Sequence, residues 1–240
     1  MSQGNAASVE VLLFDVFGTV VDWRTSLPKW LGRFGQRHSL KADWVSLVDD
    51  WRAAYQPSLA RVRDGERPYV TLDTLHRESL DSLLPRHALS SLAESDRCEM
   101  ARAWRWLDPW PDTVAGLTRL QRKYVIGTLS NGGVGLLTDL AKFSGTPWDV
   151  VLSADLFQHY KPDAAVYRGA AEFMARPPRA LMLVAAHNYD LEAARSHGWR
   201  TGFVARPAEY GPRKKSDTAA PGQWDYVTAS LEELAEKMGA

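Results

Sequence analysis

Residues 11–22 read Val-Leu-Leu-Phe-Asp-Val-Phe-Gly-Thr-Val-Val-Asp, an apolar run that stops on Asp15 and then turns through Gly18 and Thr19. A short run of wholly apolar residues bounded by turn signals is the pattern of a strand buried on both faces. Such strands belong to parallel sheets, and open parallel sheets place their chemistry just beyond the carboxyl ends of the strands. A carboxylate at that point, followed by glycine, has the position of a nucleophile.

Four further aliphatic or β-branched runs follow, at Tyr124 to Leu129, Val150 to Leu152, Leu181 to Ala185 and Thr201 to Val204. Helix-like segments lie among them, at Asp112 to Lys123, Gly133 to Ser144, Pro162 to Ala175 and Asp190 to His197. Strand and helix alternate, which predicts an α/β fold with a Rossmann-like parallel sheet covered on both faces. The first gap breaks the rhythm. From Trp23 to Trp106 only amphipathic patterns appear, such as Leu40 to Ala60 and Val70 to Leu84. We read residues 8–22 and 108–240 as the core and 23–107 as a helical cap inserted after the first strand, rejoining at Asp108-Pro109-Trp110-Pro111. Glu209 to Gln223, rich in Gly, Pro and Lys, reads as a surface loop before a last strand and a closing helix at Leu231 to Met238.

Composition narrows the function. The 240 residues carry 29 basic and 29 acidic side chains, so no net field favours nucleic acid or an acidic membrane. With 45% hydrophobic residues, the chain can bury a full core. No apolar stretch approaches ~20 residues, the single Cys98 excludes an intrachain disulfide, and the opening residues lack a secretion signal, so a cytoplasmic location is expected. The ten tryptophans read as packing of the helical segment, with some available to wall a pocket.

The polar positions follow the strand ends: Asp15 after the first run, Ser130-Asn131-Gly132 after the second, Lys161 beyond the third, and His187-Asn188 with Asp190 after the fourth. Each has a plainer use. Asp15 could form a turn, Ser130-Asn131 could cap the next helix, Lys161 could be an exposed lysine before an N1 proline, Asp190 could be an N-cap, and a lone His187 is more often structural. All of those uses would have to hold at one edge of one sheet. A site assembled from four strand ends is the better account.

With these residues in view the chain resembles the HAD superfamily and, within it, the L-2-haloacid dehalogenases, over nearly its whole length. The resemblance implies Asp15 as nucleophile, Thr19 as the threonine that orients it, Ser130 and Asn131 as the Ser-Asn pair, Lys161 as the charge-balancing lysine and Asp190 as the last acid. Tyr167 sits at the family's Lys-Pro-x-x-x-x-Tyr spacing and is implied to support Lys161. In the cap, Trp51-Arg52 resembles the pair whose arginine reaches over the substrate. Where well-known members read Ser-Ser-Asn-x-Trp-Asp, this chain has Ala185-Ala186-His187-Asn188-Tyr189-Asp190, losing a hydroxyl and replacing an asparagine with His187.

A carboxylate can attack saturated carbon or phosphorus, so Asp15 alone does not choose between them. Phe17 does. The phosphatases of the superfamily carry a second Asp there to protonate a basic leaving group, an effect worth ~10²–10⁴ in rate. Chloride or bromide needs no proton, only polar donors around it. His187 and Asn188 stand where metal-dependent relatives supply another acid, and two carboxylates make a poor site for Mg²⁺.

The expected reaction is therefore hydrolytic dehalogenation of short 2-haloacids through an aspartyl ester on Asp15, with no metal and no cofactor. Thr19 and Lys161 would assist the nucleophile. Asp190, with His187, would activate water, and His187 as a base would titrate near neutral pH. Arg52 and Asn131 would hold halide, Ser130 the substrate carboxylate, and Phe17, Tyr167 and Asn188 would complete the pocket. The partners are the haloacid and halide, without nucleic acid or membrane, and a homodimer is compatible with the family. A phosphatase of the same fold and a silent ligand-binding relative remain alternatives.

Overall fold

The computed structural model describes residues 8–211 and 223–240. Six parallel strands form one sheet: β1 (Val11–Phe14), β2 (Val125–Ser130), β3 (Val150–Ser153), β4 (Leu181–Ala185), β5 (Arg200–Val204) and β6 (Tyr226–Thr228), in the order β3-β2-β1-β4-β5-β6. The order reverses between β1 and β4, which pair in register from Val11↔Leu181 to Phe14↔Val184. That reversal opens a crevice beyond their carboxyl ends, where ligands of open α/β sheets bind. Asp15 follows β1 directly, and its amide still donates to Val184 O at 3.0 Å, so the sheet fixes its backbone.

Alternation of side chains along β1 divides the core. Leu12 and Phe14 pack with Ile126, Met182 and Val184 on one face, while Val11 and Leu13 pack with Leu129, Leu183 and Ala185 on the other. The residue at 185, where the hydroxyl is lost, therefore points into an apolar layer.

Between β1 and β2 the chain runs through α1 (Trp23–Arg37), α2 (Trp44–Ala53), α3 (Tyr55–Arg63), α4 (Leu72–Leu83) and α5 (Glu94–Ala101), with 3₁₀ turns at Leu84–His87 and Arg102–Arg105 and no strand. Asp22 starts α1 by accepting from Thr25 N at 3.0 Å, and Asp43 and Thr71 cap α2 and α4 in the same way. Their buried faces meet around Trp23, Trp51 and Trp104, with Trp51 and Trp104 edge to face at 5.5 Å. The remaining helices are α6 (Thr113–Gln121), α7 (Val134–Ser144), α8 (Ala154–Phe157), α9 (Ala164–Met174), α10 (Asn188–Ser196) and α11 (Leu231–Lys237). Among the described residues no helix is long and apolar enough to cross a membrane.

The link from β1 to α1 is tightly folded. Val20 and Val21 amides both donate to Val16 O, and Gly18 takes φ +92°, a backbone conformation that favours glycine. A Cβ on Gly18 would also lie 2.2 Å from Oε1 of Glu209. The glycine thus admits a side chain from the far end of the chain.

Candidate active site

The segments beyond three strands, β1, β3 and β4, bring Asp15, Thr19, Lys161, His187 and Asp190 into one buried cluster. Thr19 Oγ1 donates to Oδ2 of Asp15 at 2.8 Å and accepts from Ala186 N at 2.9 Å, so one hydroxyl fixes the carboxylate against the end of β4. Lys161 Nζ donates to Oδ1 of Asp15 at 3.0 Å and to Oδ2 of Asp190. The lysine ammonium therefore stands between the two acids and is itself only 2% exposed. Asp15 keeps 10% of its side-chain surface.

Burial alone would raise the Asp15 carboxyl, but the Lys161 charge, reinforced by His187, holds it well below the usual carboxylate range. Asp15 is thus an anion at any ordinary pH. Asp190 moves the other way, because burial and then the neighbouring Asp15 charge raise it against the pull of Lys161. Its Oδ1 accepts from Tyr167 Oη at 2.6 Å. Tyr167 therefore supports Asp190, whereas the sequence suggested support for Lys161.

The plainer uses of these residues are not what the structure displays. Asp190 lies in the first turn of α10, but its side chain serves Lys161 and Tyr167 instead of capping. Gly133 is the N-cap of α7, so neither Ser130 nor Asn131 caps it. Ser130 Oγ instead accepts from Gly132 N at 3.2 Å, closing the turn after β2. Asn131 Oδ1 accepts from Lys161 N at 2.7 Å, and its Nδ2 donates to Tyr55 Oη at 3.0 Å. Asn131 thereby ties the lysine loop to α3, and its amide is engaged, which departs from the expected halide donor.

His187 and Asn188 also depart from expectation. His187 Nδ1 lies 3.1 Å from Oδ2 of Asp15, and Nε2 lies 3.0 Å from both oxygens of Glu209. Burial would lower its pKa, but the charge of Glu209 and the bond to Asp15 push it up to about 10. A ring so placed is an imidazolium at neutral pH, and titration near neutrality is not expected of it. Asn188 Oδ1 accepts from Trp224 Nε1 at 3.0 Å, which holds it toward the chain entering β6.

Glu209 is the residue that sequence reasoning missed. The segment read as a surface loop begins with a carboxylate only 1% exposed, anchored where Arg206 forks onto Asp112 at 2.8 and 2.9 Å and donates to Thr19 O. Residues 212–222 of that predicted loop lie outside the described residues. Its signal was positional: Glu209 follows the carboxyl end of β5, at the same sheet edge as Asp15.

Over the cluster, the Arg52 guanidinium stacks on Tyr55 at 4.5 Å and on Trp23 at 5.2 Å, with Nη2 4.0 Å from Oε1 of Glu209. Arg52, Tyr55 and Gln56 from the helical segment and Tyr189 and Tyr210 from the core line a cavity of about 460 Å³. Phe17 is buried edge-on against Trp104 at 5.9 Å, so an aromatic ring occupies the position of a second acid. Among the described residues no group of three or more His, Cys, Asp or Glu side chains is arranged to hold a metal ion.

A buried, ionised carboxylate at the switch point of a parallel sheet, charge-matched by a lysine from the link between α8 and α9, fits a hydrolase of the haloacid dehalogenase class. The family model of haloacid dehalogenase-like hydrolases matches residues 9–198, and the chain belongs to that family. A defluorinating L-2-haloacid dehalogenase of known structure is 45% identical, with a TM-score of 0.94 over 97% of this chain and 96% of that one. A second L-2-haloacid dehalogenase is 44% identical, with a TM-score of 0.91 over 97% and 100%. The (S)-2-haloacid dehalogenase 4A of Burkholderia cepacia is 25% identical over 236 residues, 95% of this chain and 99% of that protein.

Proposed function

We propose that the chain hydrolyses the carbon–halogen bond of short 2-haloacids such as chloro-, bromo- or fluoroacetate, releasing halide and a 2-hydroxy acid. The observation that carries the reading is an ionised Asp15 held by Lys161 and Thr19, with the Phe17 ring where a proton donor would be needed for a basic leaving group. Residues 23–107 form the cap that closes over this site, as the Arg52 and Tyr55 positions suggest.

Oδ2 of Asp15 already accepts two hydrogen bonds, from Thr19 and His187, whereas Oδ1 accepts one from Lys161. Oδ1 therefore has the freer lone pair and attacks C2 in line as the carbon–halogen bond breaks. Arg52 meets the anionic groups of the substrate and the departing halide. Water then adds to Cγ of the ester, passing a proton to Asp190, whose raised pKa suits a base. Collapse breaks the Cγ–Oδ1 bond, and the departing alkoxide takes that proton. The Asp15 carboxyl regains its oxygen from water and loses its own proton.

Lys161 lies between the two carboxylates, so they do not converge on a shared opening for a hard cation, and turnover is expected without metal. A cytoplasmic location and a homodimer complete the reading, the latter testable by light scattering. The functional test is halide release from chloro-, bromo- and fluoroacetate and both enantiomers of 2-chloropropionate, in chelator. Release that persists in chelator and vanishes in Asp15→Asn is expected. Magnesium-dependent hydrolysis of an aryl phosphate without halide release would overturn the reading.

A further inference from the structure

Both nitrogens of His187 face carboxylate oxygens, Nδ1 toward Asp15 and Nε2 toward Glu209. An ionised carboxylate only accepts, so a neutral imidazole, with one N–H, would leave one of these buried contacts as two lone pairs in opposition. Only the doubly protonated ring satisfies both. Its backbone is fixed as the N-cap of α10, yet its side chain makes no capping bond and is wholly given to the two acids.

Glu209 is built in as firmly. Trp23 Nε1 donates to its Oε1 at 3.3 Å, Arg52 approaches the same oxygen, Gly18 leaves room for it, and the Arg206–Asp112 fork anchors its loop. We infer that Glu209 is a positioning residue for ester hydrolysis: it locks His187 as an imidazolium whose Nδ1–H stays on Oδ2 of Asp15, where negative charge gathers as water adds to Cγ. With the Thr19 hydroxyl on the same atom, two donors form an oxyanion site on the enzyme's own carboxyl group. His187 is then an electrostatic participant and not the base that takes a proton from water. This rests on the reading of Asp15 as nucleophile.

The groups around the ring bear on its titration. Asp15 and Glu209 flank it as acids, with Asp190 behind Lys161, while Lys161 and Arg52 are the opposing cations. Tyr189, stacked on the ring at 5.8 Å, and Tyr210 are both raised by burial and stay neutral. Glu209 is thus the acid that can be neutralised without touching the nucleophile.

The experiment pairs nitrogen-15 imidazole NMR of wild type and Glu209→Gln with rapid-quench mass spectrometry of the Asp15 ester formed from chloroacetate. Wild-type His187 should keep both protons to pH 9, whereas in Glu209→Gln it should lose one nearer the ordinary ~6.5. Above that point the variant should accumulate ester, hydrolysis falling ~10²–10³-fold as one oxyanion donor weakens, with ester formation changed far less. Hydrolysis should recover at pH 5.5, and Glu209→Asp should restore ring protonation. A neutral His187 in wild type, or a loss in Glu209→Gln that is equal at every pH, would overturn the inference. Absence of any ester in wild type would instead overturn the role of Asp15, while the NMR arm still judges the lock.

Discussion

The Lys161 ammonium lies 3.0 Å from Oδ1 of Asp15, with both groups removed from bulk water. The same ammonium binds Asp190, so one positive charge, contributed from the link between α8 and α9, makes two buried carboxylates compatible at the edge of β1 and β4. Removing it leaves Asp190 without its cation and Asp15 with His187 alone.

Lys161→Met should therefore lower kcat/KM for halide release by ~10²–10⁴ and destabilise the fold by ~3–5 kcal/mol. The pH dependence has a definite sign. Asp15 is depressed in the folded protein, so its contribution to stability is present above the unfolded value near 3.8 and is lost as the pH falls toward its lower folded value. Without Lys161 the Asp15 pKa rises, and the acid limb of activity should move to higher pH. Rate profiles and urea unfolding at several pH values measure both effects.

Gly18→Ala tests the turn that admits Glu209. The positive φ alone costs an alanine ~1–3 kcal/mol, and the new methyl would overlap the Glu209 carboxylate. Melting temperature should fall, and displacement of Glu209 should free His187 to titrate lower. A variant with wild-type stability and His187 titration would remove Glu209 from this packing.

His76 offers a stability prediction away from the chemistry. It is stacked on Trp104 at 4.4 Å, its Nδ1 has no hydrogen-bond partner, and burial, aided by the Arg52 charge, lowers its pKa to about 3. The unfolded chain takes up a proton near ~6.5 that the folded protein refuses until about pH 3. His76 thus costs stability progressively as the pH drops through that window. His76→Leu should flatten the dependence of melting temperature between pH 7 and 5, as differential scanning calorimetry would record.

The sheet was legible because buried parallel strands are written as continuous apolar runs, and the five runs fall on β1 to β5 with shifts of a residue or so. Tyr124, read into β2, instead ends its own turn and donates from its hydroxyl to Met238 O. Asp15, Thr19, Lys161 and Asp190 were legible because each follows a strand end, and parallel strands bring their ends together. Glu209 was not, because its burial depends on Gly18 and Trp23 nearly two hundred residues away, while its neighbours carry loop chemistry. The role of Tyr167 was half legible: its spacing placed it at the site, but only the folded positions of α9 and α10 show that its hydroxyl meets Asp190 and not Lys161. His187 was visible as a departure, and its protonation became legible only with its second carboxylate.

The central claim is that Asp15 forms a bond to carbon and is regenerated by water at its own carboxyl group. A single turnover with enzyme in excess, run in oxygen-18 water and followed by mass spectrometry of the Asp15 peptide, tests it most directly. The label should enter Asp15, and the first 2-hydroxy acid released should carry none. Label in the product hydroxyl with an unlabelled Asp15 would mean that water attacked the substrate carbon directly, contradicting the account.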